Sequence, residues 1–333
     1  MNHLFVINPH SFGSDGFDHV LEEIDGCFDG CIHSDYMVYV SRYSRDAVAA
    51  VHNYISSVSQ EDKVRVYAIG GDGILFDCLN GMVDFPNAEL TNVPYGKAND
   101  FVRGCFGDDG KKQFFDIKSL TTASSFPVDI MRCGANYAIN ETVFGMAGQT
   151  CLMANKLFRS KYSDFFRRFA SMIYFICTVL TILNKEVMNQ HYDVYVDKED
   201  FSGCYFGIHI SNSPCNGGTF IPNPYAQAND GIFNALFAKP DKKLTIFKSL
   251  SDLYSGNFEK HKFYIEKRCK KIEIKSDLPI RMEMDGEALY TGETTVEIIP
   301  GHIKFAIPEG VEFVDYSSIA YSQKHHRDLS NGN

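Results

Sequence analysis

The sequence predicts two successive domains of different class: an α/β domain built on a parallel sheet, then a β-rich antiparallel domain of sandwich type. Three observations carry this. The chain has 333 residues, about two domains at roughly 150 residues each. Over the first hundred residues, short apolar runs alternate with helical periodicity, as in βαβ units. From about Phe126, period-two alternation and turn dipeptides take over, as in antiparallel strands.

In chain order, Leu4 to Ile7 is a strand closing on Asn8-Pro9, Tyr36 to Val40 a second, and Val64 to Ile69 a third, ending in Gly70-Gly71. Ser44 to Val58 sets Val48, Val51, Tyr54, Ile55 and Val58 at helical spacing, with Ser44 placed to cap the helix. Another helix pattern (Ile74, Leu75, Cys78, Leu79, Met82) follows Gly70-Gly71-Asp72-Gly73, and one more starts at Asn99-Asp100. Ligands on parallel sheets bind beyond the carboxyl ends of the strands, which singles out the loops after Ile7 and Ile69. The polar stretch Thr121 to Phe126 (TTASSF) is the expected linker, giving domains 1–125 and 126–299, with 300–316 a candidate to return to the first. Strands are expected at Tyr192 to Val196, Tyr205 to Ile210, Ile232 to Phe237, Ile272 to Ile274, Ile280 to Met284 and Val296 to Ile298. Turns are expected at Asn229-Asp230-Gly231 and Asp285-Gly286. Residues 317–333 lack apolar periodicity and are expected to fray as a disordered tail.

Composition excludes some functions. Lys plus Arg number 32 against 42 Asp plus Glu, a net charge of −10, so the chain repels polyanions and no nucleic-acid partner is expected. The ten cysteines are scattered, mostly in apolar runs, and read as reduced thiols of a cytosolic protein. Cys27, Cys31 and His33 lack the second ligand pair that a zinc site requires. The opening MNHLFVINPHS lacks a signal-peptide pattern. The most apolar stretch, Phe165 to Leu183, has Arg167 and Arg168 near its start and Ser171, Thr178 and Thr181 within it. It reads as a buried or groove-lining amphipathic helix, too interrupted to span a bilayer.

Gly70-Gly71-Asp72-Gly73 stands where a strand gives way to a helix. Glycines let the backbone reach an anion, their amides and the helix N-terminus donate to phosphate oxygens, and an aspartate there can hold Mg²⁺. The plainer reading is a tight turn with an aspartate cap, and this segment alone does not decide. Walker A fails, with Cys105 for its first glycine and Lys112 for Ser/Thr; the dinucleotide fingerprint fails, with Phe76 for its third glycine. A second glycine turn lies in Asn92 to Arg103 (NVPYGKANDFVR), and on one parallel sheet the two turns would face the same crevice.

With the early INPHS, Asp77, and the late MDGE at Met284 to Glu287, these motifs resemble the diacylglycerol kinase catalytic-domain family, which contains bacterial lipid kinases, diacylglycerol kinases, and sphingosine and ceramide kinases. Asn140 to Gly145 (NETVFG), Asn212 with Gly217-Gly218, Ala226 to Gly231 (AQANDG) and the basic strand before MDGE match the second domain of the bacterial members. The resemblance implies a Rossmann-like nucleotide domain, as in NAD kinase and phosphofructokinase, then a sandwich-like domain, with ATP and Mg²⁺ as cofactors. It also implies a lipid alcohol such as diacylglycerol as acceptor, a cytoplasmic enzyme peripheral to the inner membrane face, and a homodimer as one assembly. Carried over by position, Asn8, Ser11, Gly70, Gly71, Gly73, Gly96, Lys97 and Asn99 would bind ATP. Asp72, Asp77 and Asp230 would hold metal, Asp285 would be the general base with Asp72 as second catalytic carboxylate, and Asp100 and Glu287 complete the motifs. Local readings stand beside these: Asp100 as a helix cap, Asp285-Gly286 as a hairpin turn.

The chain departs from the family pattern at phosphate contacts. Ile74 stands where threonine is usual, GTGND reads Gly96-Lys97-Ala98-Asn99-Asp100, and Phe12 replaces a glycine. Asn229 and Tyr225 weaken the structural Mg²⁺ site of some bacterial members. Two alternatives follow: an NAD-kinase-like enzyme, which the long apolar helix and MDGE argue against, and a nucleotide- or lipid-binding protein whose loops have drifted from catalysis. The basic run Lys260 to Lys275 reads as a solvated strand face, or as a docking strand for anionic lipid.

Overall fold

Strands β1 (Asn2–Ile7), β2 (Tyr36–Val40), β3 (Val64–Ile69) and β4 (Ala88–Val93) alternate with helices α1 (Gly16–Phe28), α2 (Asp46–Ser57) and α3 (Asp72–Met82). In this computed structural model, which describes residues 1–12, 16–28, 36–158, 169–218 and 220–315, the strands lie in the order β2-β1-β3-β4, all parallel. Every residue of β3 and β4 is buried, as expected of a parallel sheet covered on both faces. Helices α4 (Asp100–Gln113) and α5 (Ile117–Thr122) follow, α4 broken at Gly107. The unit is discontinuous: it comprises Met1–Ile130, Gln227–Asp230 and Pro300–Asn333. Its last strand is supplied by the end of β15 (Glu287–Ile307), where Lys304 and Phe305 pair in parallel with Glu89 and Leu90.

The expected linker is structured. Thr121 and Thr122 end α5, and Ser124 starts β5 (Ser124–Cys133), so the division falls after Ile130, within β5, rather than at residue 125. Its polar residues serve a buried ion pair: Arg65 donates to Glu89 (2.7 Å) and to the carbonyls of Leu120 (2.5 Å) and Ala123 (2.8 Å), and Ser125 Oγ donates to Glu89 (2.7 Å). A buried charge pair is stable only with its remaining valences satisfied, and the Ser/Thr stretch satisfies them. Ser44 is not the cap of α2. The residue before that helix is Arg45 in left-handed conformation (φ 72°), with no side-chain cap; Asp46 instead accepts from Ser41 Oγ (2.7 Å) and Arg42 N (2.7 Å).

The second unit, Met131–Ala226 and Gly231–Ile299, is antiparallel and sandwich-like. Its strands are β6 (Asn136–Ala138), β7 (Glu141–Gly145), β8 (Gln190–Val196), β9 (Glu199–Asp200), β10 (Gly203–Tyr205), β11 (Gly207–Ser211), β12 (Phe233–Ala238), β13 (Tyr264–Cys269) and β14 (Lys271–Met284). One sheet runs β13-β12-β11-β7-β14. β14 is irregular between Lys275 and Ile280; its first half pairs with β8 and its second with β7. β8 alternates buried and exposed residues, the period that revealed it in the sequence. Helices α6 (Met146–Phe158), α7 (Ala170–Leu183), α8 (Lys185–Met188) and α9 (Lys243–Tyr254) complete the unit. On α7, Ile173 and Cys177 pack with Ala154 of α6, while Met172, Phe175, Ile176, Leu180 and Leu183 are exposed, so of the expected buried or groove-lining amphipathic helix the amphipathic character is present and full burial is not. Residues 165–168, Cys31, His33 and the tail 317–333 lie outside the described residues.

Candidate functional site

The first unit brings its two glycine turns into contact. Gly71 and Gly96 cross so closely that a Cβ on Gly96 would lie 2.2 Å from the Gly71 Cα, and one on Gly71 would lie 3.0 Å from the Gly96 Cα. No side chain fits between these backbones, the physical reason both positions are glycine. Asn8 and Ser11 join from the loop after β1. Gly70 sits at φ +151°, and a Cβ there would meet Ser11 Oγ and Ile74 Cγ2 at 3.0 Å and Asn8 Cβ at 3.2 Å. Asn8 Oδ1 accepts from His10 N (3.1 Å), shaping the turn Pro9–Ser11. Gly73, at the first turn of α3, has nothing within 4 Å of its Cβ position, so the space over it is open.

Asp72 has an unforeseen role. Its Oδ1 accepts from the Asp100 amide (2.7 Å), so it caps α4 rather than its own helix. Burial pushes this carboxyl up from the ordinary range; amides of Asp100, Asp72 itself, Phe101 and Asn99 pull it back. Asn99 stands at φ 51° before α4, its Nδ2 donating to the Pro94 (2.8 Å) and Gly96 (2.7 Å) carbonyls. Its buried Oδ1 has no donor among the described residues, an acceptor that a ligand hydroxyl or a hydrated cation would satisfy. Asp100 pairs with Arg103 (3.0 Å), and Lys97 is exposed at the rim. Phe12 packs on Tyr95 (centroids 4.7 Å), filling with an aromatic ring the position where the family has a glycine.

The expected metal ligands do not converge. Asp77 is buried on α3, where it accepts from Arg45 N (3.1 Å) and pairs with Arg45 Nε (3.7 Å). Asp230 is exposed in its turn. Among the described residues no group of three or more His, Cys, Asp or Glu could hold an ion. Mg²⁺ keeps several of its own oxygen ligands and is usually held by one or two carboxylates plus phosphates; these residues suit a phosphate chain that brings its ion, not a stand-alone metal site. Arg45 escaped sequence reading because its partner lies 32 residues away.

In the second unit Asp285 and Gly286, at φ 44° and 90°, form the two-residue turn between β14 and β15, where Met284 pairs with Glu287. That is the hairpin geometry that needs two left-handed residues. The buried Asp285 carboxylate also accepts three amides: Ile139 N at 2.7 Å, Asn140 N at 3.1 Å and Glu141 N at 2.8 Å. Ser213 Oγ donates to Asn140 Oδ1, Asn140 Nδ2 donates to the Cys215 carbonyl (3.0 Å), and Asn212 Nδ2 donates to the Ile139 carbonyl (2.8 Å). Glu283 accepts from the Gly286 amide. The hairpin tip and the 139–141 segment form one hydrogen-bonded knot around a carboxylate.

Residues 2–133 match the diacylglycerol kinase catalytic domain, and residues 160–307 the YegS C-terminal NAD kinase beta sandwich-like domain. A "Probable lipid kinase YegS-like" protein of Shewanella frigidimarina (strain NCIMB 400) is 25% identical over 261 residues, 77% of this chain and 80% of the relative. Another so described, of Alcanivorax borkumensis (strain ATCC 700651 / DSM 11573 / NCIMB 13689 / SK2), is 22% identical over 254 residues, 74% of this chain and 79% of the relative. A solved diacylglycerol kinase structure from Bacillus anthracis str. Sterne superposes with a TM-score of 0.64 at 18% identity, covering 93% of this chain and 98% of that one; the likeness is one of fold.

Proposed function

Since the chain belongs to the diacylglycerol kinase catalytic-domain family and carries the YegS-type C-terminal domain, we propose that it is a lipid kinase transferring the γ-phosphoryl group of ATP to a hydroxyl of a lipid such as diacylglycerol. The observation that carries this reading is the Gly71–Gly96 crossing. Two backbones in contact, with Asn8 and Ser11 beside Gly70 and open space over Gly73, provide the close-approach surface on which a phosphate chain can be gripped by amides.

Phosphoryl transfer asks mainly for positioning and neutralisation of charge. Mg²⁺ arriving with ATP would supply part of that neutralisation. Asp72 holds the start of α4 against the start of α3, so the two glycine turns keep one geometry. Asp285 takes the acceptor proton in this reading, the part a positioned carboxylate plays in phosphoryl transfer. A second reading, binding without transfer, draws on the same contacts: Asp72, Asp77 and Asp285 are each engaged by protein donors.

Incubation with γ-labelled ATP, Mg²⁺ and a panel of diacylglycerol, phosphatidylglycerol, ceramide, sphingosine and NAD separates these readings. Label in a lipid is the expected result. Label only in NAD, or nucleotide binding with no labelled product, overturns it.

A further inference from the structure

Helix α7 turns an apolar stripe outward. Met172, Phe175, Ile176, Leu180 and Leu183 follow helical spacing along one face and are 43–58% exposed. The stripe continues onto α9: Phe175 meets Phe247 edge-on (centroids 6.3 Å), Lys243 Nζ donates to the Leu183 carbonyl (3.0 Å), and Leu244 is the most exposed of these apolar side chains. Monomeric proteins seldom leave so large a contiguous apolar surface without a use for it.

The surroundings say what covers it. Helix α7 has no charged residue, and beyond its C-terminal end lie exposed Lys185, Lys242 and Lys243, with Lys239 and Lys248 near them, in a chain whose net charge is −10. Glu186, the nearest acid in sequence, is paired with Arg281 (2.8 Å), leaving Asp241 as the one acid from 239 to 248. In the basic run Lys260 to Lys275, by contrast, three of the lysines are paired with acids: Lys260 with Asp252 (2.6 Å), Lys267 with Glu199 (3.3 Å) and Lys271 with Glu273.

We propose that the α7–α9 face docks this chain on anionic bilayers, the apolar stripe entering the interface and the lysine cluster meeting the lipid headgroups. Amphipathic helices bind membranes in this way, lying in the interface rather than crossing it, and no helix among the described residues is long and apolar enough to cross. The purpose of docking, access to a lipid acceptor, rests on the lipid-kinase reading; the docking itself does not.

Sedimentation with phosphatidylcholine vesicles, with and without phosphatidylglycerol, measures binding without turnover. The wild-type chain is expected to pellet with the anionic vesicles and far less with the neutral ones. Two variants altered at exposed positions, F175S/L180S/L244S and K242E/K243E, should each lose at least roughly tenfold in partitioning. Both should retain wild-type melting and activity on a water-soluble short-chain acceptor. The proposal is overturned if the wild type ignores anionic vesicles, if both variants bind as it does, or if gel filtration shows a dimer that the triple substitution dissociates. Vesicle binding with no lipid phosphorylated under any condition would remove the kinase reading and leave the docking face standing.

Discussion

At Gly96 a single methyl group is enough to test the site. Its Cβ would fall 2.2 Å from the Gly71 Cα and 2.6 Å from Asn99 Oδ1, so one loop must move. Gly96→Ala is therefore expected to remove the stabilisation that nucleotide confers, about 2.7 kcal/mol at 100 times Kd, read as a vanished thermal shift with Mg²⁺-ATP. Gly73→Ala is the counterpart: nothing stands near its Cβ, so stability should change by no more than about 0.5 kcal/mol. If phosphate uses the open space there, nucleotide affinity falls while melting of the unliganded protein holds; unchanged affinity would place the phosphates elsewhere. At Asp285, substitution by asparagine keeps the shape but replaces one acceptor oxygen with a donor facing backbone amides. Asp285→Asn should abolish transfer, leave nucleotide affinity within a few-fold, and lower stability by about 1–3 kcal/mol as the amides of residues 139–141 lose their acceptor. Wild-type kcat in that variant would reduce Asp285 to a turn residue.

Among the elements, α4 shows how a motif can be read correctly and still hide its mechanics. Its capping carboxylate comes from the other glycine loop, 28 residues earlier. Asp72→Ala should cost about 0.5–2 kcal/mol and speed hydrogen exchange of the Asp100 and Phe101 amides, with α2 unaffected; protected amides in that variant would show that α4 starts without Asp72. The parallel strands and the start of α3 were legible because continuous apolar runs and a glycine turn are local signals. The glycine crossing was legible only as two turns on one sheet edge; contact between them is a matter of tertiary distance. Arg45 with Asp77, and Asp285 with the 139–141 amides, left no local trace, because hydrogen bonds spanning 32 and 144 to 146 residues carry no periodicity. The Ser/Thr stretch misread as a linker shows the same limit: its polarity answers the buried Arg65–Glu89 pair, not solvent.

For the molecule as a whole, acid is the sensitive direction. His3 is buried in β1, its Nδ1 2.7 Å from the Tyr67 hydroxyl. Burial foremost, with Arg65 and the chain N-terminus, holds its pKa at about 4, against an ordinary value near 6.5. His209 on β11 is also held at about 4 by burial. As pH falls below about 6.5 the unfolded imidazole takes a proton that the folded one refuses, so stability is full above that value and drains away down to about 4. Urea unfolding at pH 7.5 and 4.5 should show a smaller acid loss for His3→Gln than for wild type, by on the order of 1–3 kcal/mol. Equal losses would mean that His3 takes up its proton as readily folded as unfolded.

The discontinuity of the first unit also sets a timetable for making it. Thr91 Oγ1 donates to the Ala306 carbonyl (2.9 Å), and Glu89 and Leu90 pair with Lys304 and Phe305. Strand β4 thus waits through 215 residues of translation for its neighbour. At roughly 5–20 residues per second, that leaves the edge of the nascent sheet uncovered for on the order of 10–40 s, a template for pairing with other chains. Ribosome-bound chains arrested before residue 300 should therefore engage chaperones and resist release as soluble protein, whereas full-length chains, once released, should close the sheet.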